Sequence, residues 1–293
     1  MRIAIIGLGL IGGSMGLALR GTGADYEVVG FARRPEVASR ALELGAVDRI
    51  EGNMISTVNG ADLVIIATPT LSLKGILAEI GQSLREGSIV TDTASTKAEV
   101  MEWAEVTLPP SANFIGGHPM AGKETSGIEA ADGELFNGCT YCLTVGRRAT
   151  KEACDKVERL VSQIGANPLF IDASDHDTLV AGISHLPLIC SVALMAATSK
   201  SPIWPAMSRL AASGFRDLTR LASGDPRMSH DICLTNREPI IRWIDSYIEE
   251  LNTLRHLVNQ GGMHGDGAED EGSEKLEDAF KRAREERERW LRM

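Results

Sequence analysis

Short apolar runs alternate with longer segments of helical spacing through the first 172 residues. Ile3-Ala-Ile-Ile6 reads as a buried strand that enters a glycine-rich turn and leaves into an apolar segment through Leu19. Glu27-Val-Val-Gly-Phe31 reads as a second strand, with a helix from Pro35 to Leu44. Ala61 to Thr68 is nearly continuous in apolar residues, the pattern of a strand covered on both faces in a parallel sheet. Pro69 ends it, and helical spacing runs from Leu71 to Leu84. Ser88 to Thr93 is a further strand, followed by Ser95-Thr96-Lys97 and a helix to about Thr107. Asn113 to Gly117, Thr140 to Val145 and Pro168 to Ile171 are the remaining strands, the last preceded by a helix from about Thr150 to Ile164. Strands and helices in this alternation predict an α/β domain over residues 1–172, built on a doubly wound sheet.

The pattern changes after Asp172. Residues 173–260 carry no strand signal and divide into helical stretches at Asp175–Ser199, Ala206–Ser213 and Arg227–Val258, with Gly214 and Gly224-Asp-Pro226 as breakers. The apolar faces of so few helices exceed what they can cover among themselves, so an all-α domain that pairs in a homodimer is expected. Residues 261–293 read as an acidic, glycine-rich linker to Ser273 and a charged helix from Glu274 to Leu291 with Glu/Arg pairs.

Composition narrows the partners. The 293 residues carry a net charge of −10, which argues against nucleic acid and against an anionic membrane surface. Arg2 before an apolar run resembles a signal peptide or anchor. Glycines at 7, 9, 12, 13 and 16 are costly in a spanning helix, and no other segment reaches spanning length without a charge or glycine interruption. Five scattered cysteines point to a reduced, cytoplasmic protein.

The turn after the first strand is Gly7-x-Gly9-x-x-Gly12. Strand, glycine turn and helix in that order are the requirements of a dinucleotide site, with the helix-start N–H groups of Leu10 and Ile11 offered to the pyrophosphate. The residues that read the adenosine ribose fall at the end of the second strand, at Ala32, Arg33 and Arg34. An acid there favours NAD; its absence beside two guanidiniums favours NADP, with NAD open. Thr68 and Pro69, at the end of the next central strand, join the cofactor-binding set.

His118 stands between Gly116-Gly117 and Pro119, at the expected C-terminal edge of the sheet, where a neutral imidazole can take a proton from a substrate hydroxyl. Ser95 either orients that hydroxyl, touches the nicotinamide, or caps the next helix. Arg216 and Arg220, four apart after Gly214, suit a dicarboxylate. Ser184-His185-Leu186-Pro187 interrupts an apolar helix, and such interruptions with polar pairs face pockets or hold a core histidine. Cys139-x-x-Cys142 falls in a strand with no second pair to complete a metal site, so no metal is expected.

Taken in order, Gly7 to Gly12, Asp92-Thr-Ala-Ser95-Thr-Lys97, Gly117-His-Pro-Met-Ala-Gly122, Ser184-His-Leu-Pro187 and Gly214-Phe-Arg-Asp-Leu-Thr-Arg220 resemble the prephenate/arogenate dehydrogenase family of tyrosine biosynthesis over nearly the whole chain. The resemblance implies a nicotinamide-dependent oxidative decarboxylation. His118 would bond the substrate's ring hydroxyl and Ser95 would assist it. Arg220, with Arg216 nearby, would bind substrate carboxylate, Ser184 and His185 would line the pocket, and the helical domain would form a dimer. Leu188 stands where prephenate-using members often have histidine, and Ser229 where they often have tryptophan. Both differences touch the choice between prephenate and arogenate. A β-hydroxyacid dehydrogenase would instead need a catalytic lysine on a second-domain helix, for which Lys200 is the one candidate. A non-enzymatic nucleotide sensor would leave the second pocket empty.

Overall fold

The computed structural model describes residues 1–123, 125–260 and 271–292. Eight strands form one sheet: β1 (Arg2–Ile6), β2 (Glu27–Phe31), β3 (Arg49–Ile50), β4 (Leu63–Ile66), β5 (Ile89–Asp92), β6 (Asn113–Pro119), β7 (Thr140–Val145) and β8 (Asn167–Phe170). Their order is β3-β2-β1-β4-β5-β6-β7-β8, with β1 to β6 parallel, β7 antiparallel to β6, and β8 parallel to β7. The order reverses at β1, between β2 and β4, so the C-terminal ends of β1 and β4 flank the crevice where such sheets bind ligands.

Period-two alternation puts Ile3, Ile5, Leu63 and Ile65 in one apolar core and Ala4, Ile6, Val64 and Ile66 in another. The two faces are covered by α1 (Leu10–Gly21), α2 (Pro35–Glu43), α3 (Met54–Val58), α4 (Leu73–Ile80), α5 (Ala98–Thr107) and α6 (Lys151–Gln163). Burial on both faces is the reason the central strands are continuous in apolar residues.

Beyond Asp172 the described chain is helical: α7 (Ala173–Val180), α8 (Leu186–Ser199), α9 (Trp204–Leu210), α10 (Ser213–Thr219), α11 (Pro226–Thr235), α12 (Arg237–Gln260) and α13 (Glu271–Trp290). The stretch expected as one helix over Arg227–Val258 breaks at Asn236, whose φ and ψ of −130° and 36° leave the helical region. The C-terminal helix starts at Glu271, three residues before the expected Glu274, and residues 261–270 of the expected linker lie outside the described residues. A π-turn over Ala181–His185 joins α7 to α8. Among the described residues Ala173–Ser199 is the one helical run long and apolar enough to cross a membrane by length and composition, and 22% of its most apolar window is buried. By its internal contacts the chain forms two compact units, Met1–Ile240 and Ile241–Met293, so α7 to α11 belong to the same unit as the sheet.

Candidate active site

The glycine turn is shaped by close approach. Gly7 has a φ of +96°, and a Cβ there would lie 2.4 Å from the Ala67 carbonyl oxygen of the neighbouring strand end. A Cβ at Gly12 would lie 1.8 Å from Gly7 O, whereas at Gly9 nothing lies within 4 Å. Two positions therefore exclude any side chain, and the third faces open space. Gly9 also N-caps α1 without a side-chain acceptor, and the first turn of that helix, with Leu10 and Ile11, holds no acid. That arrangement fits a dinucleotide pyrophosphate. Thr68 borders the turn and accepts a hydrogen bond from Ser72 Oγ at 3.0 Å, and Pro69 follows it, exposed. Ala32 is half-buried just past β2; Arg33 and Arg34 are exposed, with Arg34 the N-cap of α2.

Farther along the same sheet edge, β6 extends two residues past the expected Gly117 and carries His118 within the strand. Its main-chain pairing with β5 ends at Thr91 and Ile115. Side chains take over from there. Asp92 Oδ1 accepts the Gly117 N–H at 3.1 Å, and the buried Lys97 ammonium donates to Gly117 O at 2.6 Å and to Asp92 Oδ2. A Cβ at Gly117 would meet Asp92 O at 2.5 Å, so this bracing needs glycine before the histidine. Burial pulls the Lys97 pKa down and Asp92 opposes that shift. Burial, reinforced by His176, Lys97 and His185, pushes the His118 pKa well below its ordinary 6.5, which leaves the imidazole neutral.

His118 Nδ1 lies 2.9 Å from His176 Nε2, and His176 Nδ1 lies 2.8 Å from Asp177 Oδ1. All three side chains are buried. Asp177 also accepts the first free N–H groups of α5, from Lys97 at 2.7 Å and Ala98 at 2.8 Å. This corrects one expectation for Ser95: α5 begins at Ala98 with Lys97 as N-cap, and a carboxylate from α7 caps it, not Ser95. Ser95 itself is half-buried in the turn between β5 and α5.

Asn236, at the break between α11 and α12, donates both amide hydrogens, to Asp177 O at 2.7 Å and to His185 Nδ1 at 3.1 Å. His185 closes the π-turn, a feature common at functional sites, and burial lowers its pKa to about 4. Its Nε2 is buried with no hydrogen-bond partner. Ser184 beside it is half-buried, and Pro187 sits at the start of α8, where its missing N–H costs least.

Arg216, in α10, and Arg220, opening the 3-10 turn after it, are both exposed. That turn packs on α8, with the Ala222 N–H donating to Ser191 Oγ at 2.9 Å. The structure thus joins His118 to the π-turn through His176, Asp177 and Asn236, and Arg216 and Arg220 lie on elements that pack against α8. Lys200 is the C-cap of α8. Among the described residues the five cysteines form no disulfide, and no cluster of three or more His, Cys, Asp or Glu could hold a metal.

His176, Asp177 and Asn236 were not singled out from the sequence. His176 and Asp177 sit in an ordinary helix start, and their partners lie 58 and 80 residues away. Asp92 and Lys97 left a clearer trace: an acid that ends the buried strand β5 and a base five residues on, where the next helix begins.

Two family models cover most of the chain: prephenate dehydrogenase, nucleotide-binding domain, over residues 15–169, and prephenate dehydrogenase, dimerization domain, over residues 172–271. A prephenate dehydrogenase from Bacillus subtilis is 38% identical over 262 residues, 88% of this chain and 70% of that protein. The crystal structure of prephenate dehydrogenase from Aquifex aeolicus with hydroxyphenyl propionate and NAD+ superposes with a TM-score of 0.89 at 28% identity, covering 99% of this chain and 98% of that one. Arogenate dehydrogenase from Synechocystis superposes with a TM-score of 0.81, also at 28% identity, covering 99% and 100%. A neutral histidine braced at the sheet edge that carries a dinucleotide turn, together with these matches over both halves, makes this chain a member of the prephenate/arogenate dehydrogenase family.

Proposed function

We propose that the protein oxidatively decarboxylates prephenate to 4-hydroxyphenylpyruvate, for tyrosine biosynthesis, with NADP as the preferred cofactor. The observation that carries this is His118: neutral, buried, and fixed on the sheet edge that also bears the dinucleotide turn. The substrate is a cyclohexadienol with a ring carboxylate and a three-carbon side chain. A bound nicotinamide supplies the hydride acceptor for the hydroxyl-bearing carbon. His118 accepts the hydroxyl proton as that hydride leaves, an effect worth roughly 10²–10⁴-fold, and Ser95 holds the same hydroxyl. The ring carboxylate departs as CO2, and aromatisation makes the step effectively irreversible. Arg220, with Arg216, grips the side-chain carboxylate, because a tight grip on the departing one would oppose its loss. Ser184 and His185 line the pocket.

NADP preference is supported by Ala32, which offers no carboxylate to repel a 2′-phosphate, and by the exposed Arg33 and Arg34. Arogenate is the second reading, kept open by the buried Leu188, which stands where prephenate-using members of the family often carry histidine. A homodimer is supported by the dimerization-domain match and by Ile183, Leu210 and Leu218, exposed by 72%, 85% and 67% in the single chain. Five cysteines with no disulfide among them accord with a cytoplasmic enzyme.

Steady-state assays with prephenate and arogenate, each with NAD and NADP, test the reading. Turnover of prephenate with NADP above the other three pairs is expected. Arogenate as the better substrate would move the conclusion to the second reading, and no turnover of either would refute both.

A further inference from the structure

A general base must present a lone pair to the substrate, and a neutral imidazole has one. Which ring nitrogen carries it follows from the bond made by the other. The contacts around Asp177 settle the chain of donors from its far end. Its two oxygens meet the Lys97 N–H, the Ala98 N–H and His176 Nδ1, and the two backbone groups can only donate. An ionised carboxylate can only accept, so His176 Nδ1 carries a hydrogen toward it. In a neutral His176, Nε2 then holds the lone pair. It lies 2.9 Å from His118 Nδ1, which must therefore donate. The two rings meet edge to face, at 72°.

We propose that His176 is a positioning residue that fixes His118 as the Nδ1–H tautomer, so that Nε2 bears the lone pair that receives the substrate's proton. Asp177 holds His176 in turn, and its negative charge stabilises the imidazolium that forms when His118 Nε2 takes that proton. The same carboxylate caps α5, so the base is oriented by a helix start as well as by a side chain. This inference rests on the reading of His118 as the base, and its test separates the two.

The direct test is the tautomer. In protein labelled with 15N at its six histidines, two-bond proton–nitrogen correlations distinguish Nδ1–H from Nε2–H, and His118→Asn assigns the His118 signals. Nδ1–H is expected at both His118 and His176. A His118 that carries its hydrogen on Nε2, as a doubly protonated His176 would impose, overturns the proposal. The second arm is kinetic. His176→Leu removes the acceptor and should lower kcat roughly 10²–10⁴-fold with cofactor Kd unchanged. His176→Gln retains an acceptor for His118 and a donor for Asp177, and should recover to within about tenfold of wild type. Equal impairment of the two, or an unimpaired Leu variant, refutes a tautomer-setting role. If the Leu variant does not fold, the wild-type tautomer decides alone. Full turnover by His118→Asn alongside an Nδ1–H signal in wild type would instead refute the base assignment and leave the relay standing.

Discussion

Replacing Lys97 by Met keeps an apolar stem in a fully buried slot and deletes only the ammonium. Two contacts disappear, one to Asp92 Oδ2 and one to Gly117 O at 2.6 Å. Removing one partner of a buried ion pair costs about 3–5 kcal/mol, and an unpaired buried carbonyl a further ~1–3 kcal/mol. Asp92 keeps the Ala94 N–H at 2.8 Å and the Gly117 N–H at 3.1 Å, which offsets part of the loss. The net expectation is about 4 kcal/mol of lost stability, read as a lower urea midpoint by circular dichroism at pH 7. In Asp92→Asn/Lys97→Met both charges are gone, and at least half the loss should return. A single variant within about 1 kcal/mol of wild type, or a double variant no more stable than the single, refutes the claim that this pair braces the strand under His118.

Three further outcomes are expected. Arg220→Ala should raise KM for substrate strongly while kcat falls less; an unchanged KM removes Arg220 from the site. Ala32→Asp/Arg33→Ser should shift the ratio of kcat/KM for NADP over NAD toward NAD by several kcal/mol, on the order of two charged hydrogen bonds, and a wild type that already prefers NAD contradicts the cofactor assignment. Well above pH 6.5 His185 is neutral whether folded or not. As pH falls from 6.5 toward about 4 the unfolded chain gains a proton that the folded one refuses, so stability drops, by up to about 3 kcal/mol from this group. His118 acts in the same direction. Urea unfolding at pH 7.5 and 4.5 should show a smaller acid loss in His185→Gln than in wild type, and an equal loss in both would contradict the account.

The parts of the fold legible in the sequence are those whose pattern is local. β2 and β7 occupy the residues their short apolar runs predict, because each is a full-length strand bounded by turn residues. β3 is two residues long and α3 five, too short for any period to register. The break at Asn236 is hidden in the sequence because the apolar spacing continues across it. Gly7, Gly12 and His118 were readable from chemistry that a short motif contains. The relay behind His118 was not, since it is assembled by tertiary contact: an α7 carboxylate reaches the start of α5, and an amide at a helix break reaches back to α7. Ser95 shows the converse. A serine before a helix is an ordinary cap by sequence, and here a distant carboxylate holds that place.

The central claim is that His118 is the base of an oxidative decarboxylation, and His118→Asn tests it most directly. Asparagine preserves a polar side chain of modest size and removes the titrating nitrogen. With prephenate and NADP, kcat should fall roughly 10²–10⁴-fold while the Kd for NADP, set at the distant glycine turn, stays at its wild-type value. Near-full turnover in His118→Asn would contradict the account.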